Sequence, residues 1–310
     1  MTATFIVSFD CEGKWGFSDF EDSSYLQAFT NEKLNQAYEQ ILTILDRNEI
    51  KATFAFVGAF TLSPEDYDNH KDWFQDVSIE GRSWLSKFRH DASQCQFDGW
   101  FNPKAFEMVS SENLHEIASH GFLHLPLRES LNNKKLFQRE ITLIRSLPNF
   151  NKSKTFIYPR NMVTFSEILK NFGFIGYRDQ LFKPTRLPIN HVRNFLNELN
   201  MWQSPQQPSA PYDTIVRIPS GFFLNFRNGF RKIISPAFTL KRWTHLLANA
   251  IAHDGVVHLW AHPHNFIDNT QMLSLLEQIV KKVSFGVKRG NLINLTQEEY
   301  VRCILAKNGD

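Results

Sequence analysis

Short runs of β-branched and aromatic residues alternate along the chain with stretches that have the period of a helix. This alternation is typical of parallel strands joined by crossover helices. Seven strands are predicted, a number that suits a closed barrel. The predicted fold class is therefore α/β, a barrel of the (β/α)7 type. The candidate strands are residues 4–10, 52–57, 114–119, 155–158, 174–177, 256–261 and 292–295.

A helix is predicted after the first strand, because apolar residues from Leu34 to Leu45 recur at spacings of three and four. Thr30 or Asn31 would cap its amino terminus. The other strands also have helical segments nearby. These are residues 130–147, 165–172, 240–253, 270–282 and 297–305.

The chain has 310 residues, and barrels of alternating strands and helices often form one unit of this length. We expect one catalytic domain over residues 1–310. Residues 63–113 and 181–228 interrupt the pattern and are predicted insertions; the second contains six prolines. Because loops at the carboxyl ends of barrel strands build active sites, these insertions either shape a substrate cleft or are plain surface excursions.

Charge and cysteine content argue against several kinds of protein. A formal net charge of +2, without blocks of lysine or arginine, predicts no nucleic-acid partner. The three cysteines are far apart and indicate neither a disulfide framework nor a structural zinc site. No export signal and no run of about eighteen apolar residues is seen. We therefore expect a soluble, cytoplasmic protein.

The first strand ends in two carboxylates. Side chains alternate along a strand, so Ser8, Asp10 and Glu12 share one face while Val7 and Phe9 point the other way. Two carboxylates on one face are costly in a packed interior unless a cation, an arginine or a proton compensates them. The alternative is that Glu12 lies in an exposed loop and only Asp10 is constrained.

A histidine pair follows the third predicted strand. His120 and His124 are four residues apart, and Gly121 between them suits a tight turn at the top of a barrel. Imidazole nitrogens and carboxylate oxygens bind zinc, and a catalytic zinc site uses three protein ligands. Glu12, His120 and His124 are therefore candidate ligands of a divalent ion. Histidines at this spacing are also common at surfaces and in cores.

Three segments together resemble the polysaccharide deacetylase (NodB-homology, carbohydrate esterase family 4) family. They are Phe9-Asp10, residues 119–124 and residues 259–262, which match in order and separation the first, second and fifth motifs of that family. The resemblance covers most of the chain. It implies a distorted barrel of about seven strands, in agreement with the strand count above.

The resemblance also implies residue roles. Asp10 matches the general base of the family, His262 matches the general acid, and Glu12, His120 and His124 match the metal ligands. Zinc is the expected ion, with cobalt or nickel able to replace it.

Two motifs depart from the common family form. Cys11 separates Asp10 from the second acid, Glu12, as in an Asp-x-Glu variant. In the third motif the arginine follows Pro159 instead of preceding the proline. We expect Arg160 to reach Asp10 and orient it; a surface arginine or one that binds a substrate phosphate is the alternative.

Trp260, His264 and Pro159 are the expected substrate contacts. Trp260 would stack on a sugar ring, or it would fill the barrel interior. His264 is also a substitute for His262 as the acid, and it could equally cap the turn. Residues 221–243 mix aromatic and basic side chains, which fits either a peripheral contact with an anionic membrane or a core helix with a basic edge.

The expected function is hydrolysis of an N-acetyl or other acyl group on an amino sugar. Because no export signal is seen, the expected substrate is a nucleotide-linked or lipid-linked saccharide. We expect it to be a precursor of a surface polysaccharide, made in the cytoplasm or at the inner membrane face. One alternative is hydrolysis of a small non-sugar amide. Another is a barrel that binds saccharide without catalysis.

Overall fold

A computed structural model describes residues 2–19, 25–181, 195–196, 198–209, 215–224 and 229–307. Its strands are β1 (Thr4–Cys11), β2 (Thr53–Phe56), β3 (Ser78–Ile79), β4 (Arg82–Ser83), β5 (Glu116–Ser119), β6 (Thr155–Ile157), β7 (Gly176–Arg178), β8 (Val216–Ile218), β9 (Phe222–Phe223), β10 (Val256–Ala261) and β11 (Ile293–Asn294). Its helices are α1 (Asn31–Arg47), α2 (Pro64–Asn69), α3 (Ser86–Ser93), α4 (Pro103–Ser110), α5 (Leu131–Ser146), α6 (Ser166–Asn171), α7 (Pro236–His253), α8 (Thr270–Lys288) and α9 (Gln297–Ala306).

The main sheet is parallel throughout and has the order β8-β7-β6-β5-β2-β1-β10-β9, with β11 pairing beside β1. It curls into a distorted half-barrel, which confirms the predicted fold class. Within the described residues, the two end strands β8 and β9 do not pair with each other. The expected full closure is therefore not seen there.

All seven predicted strands are present. β8 and β9 were not predicted, because they have only three and two residues and lie within the proline-rich insertion. Thr30 caps α1 by accepting a hydrogen bond from the Lys33 N–H at 3.3 Å, as expected. The insertion at 63–113 contains α2, α3, α4 and the β3–β4 hairpin. Of the insertion at 181–228, residues 182–194, 197, 210–214 and 225–228 lie outside the described residues.

The strands present different side chains to their two faces. Along β1, Phe5, Val7 and Phe9 join the large apolar core with the helices. Ser8 and Asp10 are also buried, but they point into the half-barrel. The period of two in this strand thus separates the packing residues from the polar ones, as the sequence predicts.

Small and polar residues leave room inside the half-barrel. Ala55, Ala118 and Ile157 form a small interior cluster of their own. At the amino ends of the strands, the carboxylate of Glu116 accepts hydrogen bonds from the Thr53 hydroxyl at 2.7 Å and from the Glu298 N–H of α9 at 2.9 Å. Helix α9 therefore covers that end, and the polar site lies at the carboxyl ends.

No helix within the described residues is long and apolar enough to cross a membrane.

Candidate metal centre

Glu12 lies just past the end of β1 and is only 6% exposed. Its Oε2 atom is 2.9 Å from His124 Nε2 and 3.5 Å from His120 Nε2. The ligand atoms of these three residues all lie within 4.8 Å of one another, a grouping that could hold a metal ion. The structure therefore brings the three predicted ligands together, and Glu12 is not in an exposed loop.

The hydrogen bonds of the histidines suit metal binding. His120 donates from Nδ1 to the Ile157 carbonyl oxygen at 2.8 Å, because a carbonyl can only accept. In the neutral ring this leaves the lone pair of Nε2 facing Glu12. Both ring nitrogens of His124 are buried; Nδ1 has no hydrogen-bond partner, and Nε2 faces Glu12 Oε2 at 2.9 Å. A carboxylate oxygen and two imidazole nitrogens at this spacing fit a divalent cation.

The segment that carries both histidines is held on two sides. Gly121 has φ of 79°, a conformation that glycine adopts without strain, and His124 itself has φ of 57°. On one side, the backbone N–H groups of Gly58 and Ala59 donate to the carbonyls of Gly121 and Phe122 at 2.8 and 3.0 Å.

On the other side, Glu140 of α5 accepts from the Phe122 and Leu123 N–H groups at 2.9 and 2.8 Å. Burial raises the pKa of Glu140 to about 7, although these backbone donors favour its charged form. Sequence reasoning did not find Glu140, because a lone glutamate in an amphipathic helix gives no signal of its role.

Burial alone would raise the pKa of Glu12, but the imidazoles of His262, His124 and His120 outweigh it and hold that pKa well below its usual range. The carboxylate is therefore ionised in a site that is almost closed to water. A buried charge without a partner costs several kcal/mol. A divalent ion held by Glu12, His120 and His124 would supply such a partner.

Asp10 is compensated differently, by Arg178 at the end of β7. The guanidinium binds the carboxylate through two hydrogen bonds, Nη1 to Oδ1 at 2.8 Å and Nη2 to Oδ2 at 2.6 Å. Both residues are almost fully buried, at 2% and 1% exposed. Burial alone would raise the pKa of Asp10. Arg178 and the nearby imidazoles have the larger, opposite effect, so the pKa of Asp10 lies below its ordinary value.

All five N–H donors of Arg178 have acceptors. Besides Asp10, the guanidinium donates to the Asn161 side-chain oxygen from Nε and Nη2, at 3.2 and 2.8 Å, and to the Ser8 hydroxyl at 3.3 Å. The ring of Trp260 lies 4.8 Å from its central carbon. A planar guanidinium with every donor bound has a fixed orientation, which it passes to Asp10.

Ser8 is held in turn by His258. Burial lowers the pKa of His258 to about 3, so the ring is neutral. Its Nδ1 donates to the Pro219 carbonyl at 2.7 Å, which leaves Nε2 to accept from the Ser8 hydroxyl at 2.8 Å. The Ser8 oxygen then offers its lone pair to Arg178.

The prediction that Arg160 orients Asp10 is wrong. Arg160 instead pairs with Asp19, with Nη1 3.0 Å from Oδ2, and lies 5.1 Å from the Trp84 ring. Both Arg160 and Asn161 have φ of 54°, and this turn directs Asn161, not Arg160, toward the buried guanidinium.

Arg178 was missed because the predicted strand ended at residue 177. The signal that could have found it is the period of two. Gly176 and Arg178 share a face of β7, so an arginine at the carboxyl end of this strand points into the half-barrel.

The other predicted residues lie close to Glu12 and Arg178. His262 Nε2 is 3.5 Å from Glu12 Oε1, and its side chain is 21% exposed. His264 is buried and stacks on His262 and on Phe29, with ring centres 4.8 and 4.9 Å apart. Trp260 is half-buried and packs on Phe223.

Pro159 is buried beside the metal-ligand turn, where a Cβ on Gly121 would lie 3.5 Å from its Cγ. Among the predicted catalytic and substrate residues around the metal ligands, Trp260 and His262 are thus the more open to solvent, while His264 and Pro159 are enclosed. Contacts of Trp260, His264 and Pro159 with a substrate stay a prediction.

Part of the chain matches a known protein family. Residues 18–161 match the family described as polysaccharide deacetylase, a span that includes His120 and His124 but not Asp10, Glu12 or His262. The structure of a candidate polysaccharide deacetylase from Mycobacterium smegmatis aligns with a TM-score of 0.60 and 16% identity over 99% of this chain and 92% of that chain. It shows the shared fold.

More distant structures are also similar. The peptidoglycan deacetylase PdaC of Bacillus subtilis aligns with a TM-score of 0.43 and 11% identity, over 99% of this chain and 94% of that one. The BA3943 protein of Bacillus anthracis, a family pseudoenzyme, aligns with a TM-score of 0.43 and 13% identity, over 97% of this chain and 66% of that one. No curated protein matches the sequence significantly. By the family match over residues 18–161 and by the shared fold, the chain is similar to the polysaccharide deacetylase family.

The two arginines give a first prediction. Arg178→Met should lower the free energy of unfolding by about 3–5 kcal/mol, because it leaves Asp10 buried without its partner. Arg160→Met should cost less than about 1 kcal/mol, since its ion pair with Asp19 is partly exposed. Denaturant unfolding measures both. Equal losses would contradict the assignment of Arg178 as the partner of Asp10.

A second prediction concerns Gly16, whose missing side chain leaves space for Glu12. A Cβ at Gly16 would collide with the Glu12 carboxylate. Gly16→Ala should therefore displace this ligand and weaken zinc binding about tenfold or more, which corresponds to about 1.4 kcal/mol. Gly286→Ala, in α8, is the control, and its zinc affinity should equal that of the wild type. Unchanged affinity in Gly16→Ala, measured by calorimetry, would show that Glu12 is not a ligand.

Proposed function

We propose that this protein is a divalent-metal hydrolase that removes an acyl group, in the first place acetyl, from the nitrogen of an amino sugar. The observation that carries the proposal is that two neighbouring buried carboxylates have different partners. Asp10 is bound by Arg178, while Glu12 faces His120 and His124. One carboxylate can thus act as a base and the other as a ligand.

Glu12, His120 and His124 would hold the ion, with zinc as the first candidate and cobalt or nickel as replacements. When bound, such an ion acts as a Lewis acid that polarises a carbonyl and makes a water molecule easier to deprotonate.

Asp10 would accept the proton of the attacking water. Its bond to Arg178 keeps the carboxylate ionised and fixes both oxygens, so that it meets the water in one orientation. His262 would donate a proton to the departing nitrogen, because it is close to Glu12 and is exposed in part. Arg178, Ser8, Asn161 and His258 act by positioning Asp10.

The substrate class is part of the proposal and is supported by the match of residues 18–161 to the polysaccharide deacetylase family. A nucleotide-linked or lipid-linked precursor of a surface polysaccharide, handled in the cytoplasm or at the inner membrane face, remains the preferred choice. The side chain of Arg160 is 33% exposed, so it is available to a substrate phosphate if its pairing with Asp19 is exchanged.

The third prediction tests the proposal through Asp10→Asn. This variant should keep about one zinc per chain, yet its kcat for acetate release should fall by about 10²–10⁴-fold, because the general base is lost. His120→Ala should lose both zinc and activity. Metal content is measured by mass spectrometry, and acetate release on a panel of N-acetylated amino sugars, free, nucleotide-linked and lipid-linked.

Two outcomes would overturn the proposal in different ways. A wild-type protein that holds zinc but releases neither acetate nor formate from any member of the panel would refute the substrate class. A wild-type protein that takes up no ion after reloading would refute the hydrolytic mechanism and favour a barrel that only binds saccharide.

A further inference from the structure

Glu12 lies between two pairs of histidines, and the proposed function uses only one pair as metal ligands. Its Oε2 atom faces His120 and His124. Its other oxygen, Oε1, is 3.5 Å from Nε2 of His262. The described residues form a second possible ligand group, Glu12, His262 and His264, whose ligand atoms also lie within 4.8 Å of one another. Glu12 is the member that the two groups share.

The second histidine pair is arranged side by side. The rings of His262 and His264 are nearly parallel, with an angle of 19° between their planes. His264 is fixed from behind by Phe29, which stacks at 26°, and from the edge by Phe17 at 5.2 Å. Two parallel imidazoles held beside one carboxylate oxygen offer two nitrogens and one oxygen, a donor set that zinc prefers.

We infer that Glu12, His262 and His264 form a second, weaker divalent-cation site, and that an ion bound there inhibits the enzyme. The inference rests on the proposed function, because the ion would take up the Nε2 atom of His262, the proposed proton donor. A carboxylate that bridges two ions about 3.5–4 Å apart is known chemistry in hydrolases. Here the second ion blocks a proton transfer instead of assisting it.

The second site must be the weaker one on electrostatic grounds. The first ion already neutralises the Glu12 carboxylate, and Asp10 is neutralised by Arg178. A second divalent ion therefore adds charge to a site that is no longer negative. His262 is also 21% exposed, so its orientation is less fixed than that of the buried pair. Low zinc should load one ion, and excess zinc should load the second and reduce activity.

The fourth prediction uses His264→Phe, which keeps a ring to stack on Phe29 but removes the ligand nitrogen. Calorimetric zinc titration of the metal-stripped wild type should show two binding events, separated by roughly tenfold or more in affinity. The variant should show only the tight event. Acetate release by the wild type should fall as the second event saturates, whereas any activity that the variant retains should not fall over the same zinc range.

The outcomes separate the inference from the proposed function. A single tight event in the wild type, with no inhibition by excess zinc, overturns the second site and leaves the first intact. Two events that persist in both His264→Phe and His264→Gln also overturn it. No tight event in the wild type refutes the proposed function itself. The second substitution covers the case in which the phenylalanine variant does not fold, which circular dichroism would report.

Discussion

Two carboxylates emerge from the end of one buried strand, and each needs a positive partner. Asp10 has Arg178, whose five donors are all bound, and this makes a pair with one fixed geometry. Glu12 faces the imidazoles of His120 and His124 instead of a guanidinium, and this set of donors suits a metal ion. The different compensation of these two residues at the end of one strand would separate a proton acceptor from a ligand.

The order of the strands in the sheet explains why Asp10 has an arginine partner. Asp10 on β1 and Arg178 on β7 are separated along the sheet by β2, β5 and β6, and only the curl of the sheet brings them into contact across the interior. The buried side chains of Ala55 and Ala118 in that interior are small. The histidine turn is attached at the same end of the sheet by Gly58 and Glu140. The chemistry therefore depends on long-range packing as much as on local motifs.

Sequence patterns predicted the features of the fold and site that depend on residues close together along the chain. The period of two placed Ser8 and Asp10 on one face, and the spacing of His120 and His124 indicated one ion site, which the structure groups with Glu12. The charge partner of Asp10 could not be predicted this way, because sequence proximity favoured Arg160, whereas the pairing depends on the curl that brings β7 to β1. Short strands such as β9, with two residues, are formed by pairing with β10 and have no periodic signal of their own.

The most direct test of this account is anomalous diffraction at the zinc edge from crystals grown with about one equivalent of zinc. The expected result is one peak bonded to Glu12 Oε2 and to Nε2 of His120 and His124, at about 2.0–2.2 Å, with Arg178 still bound to Asp10. Zinc bound to Asp10 in place of Arg178, or no peak near Glu12, would contradict the division of roles between the two carboxylates.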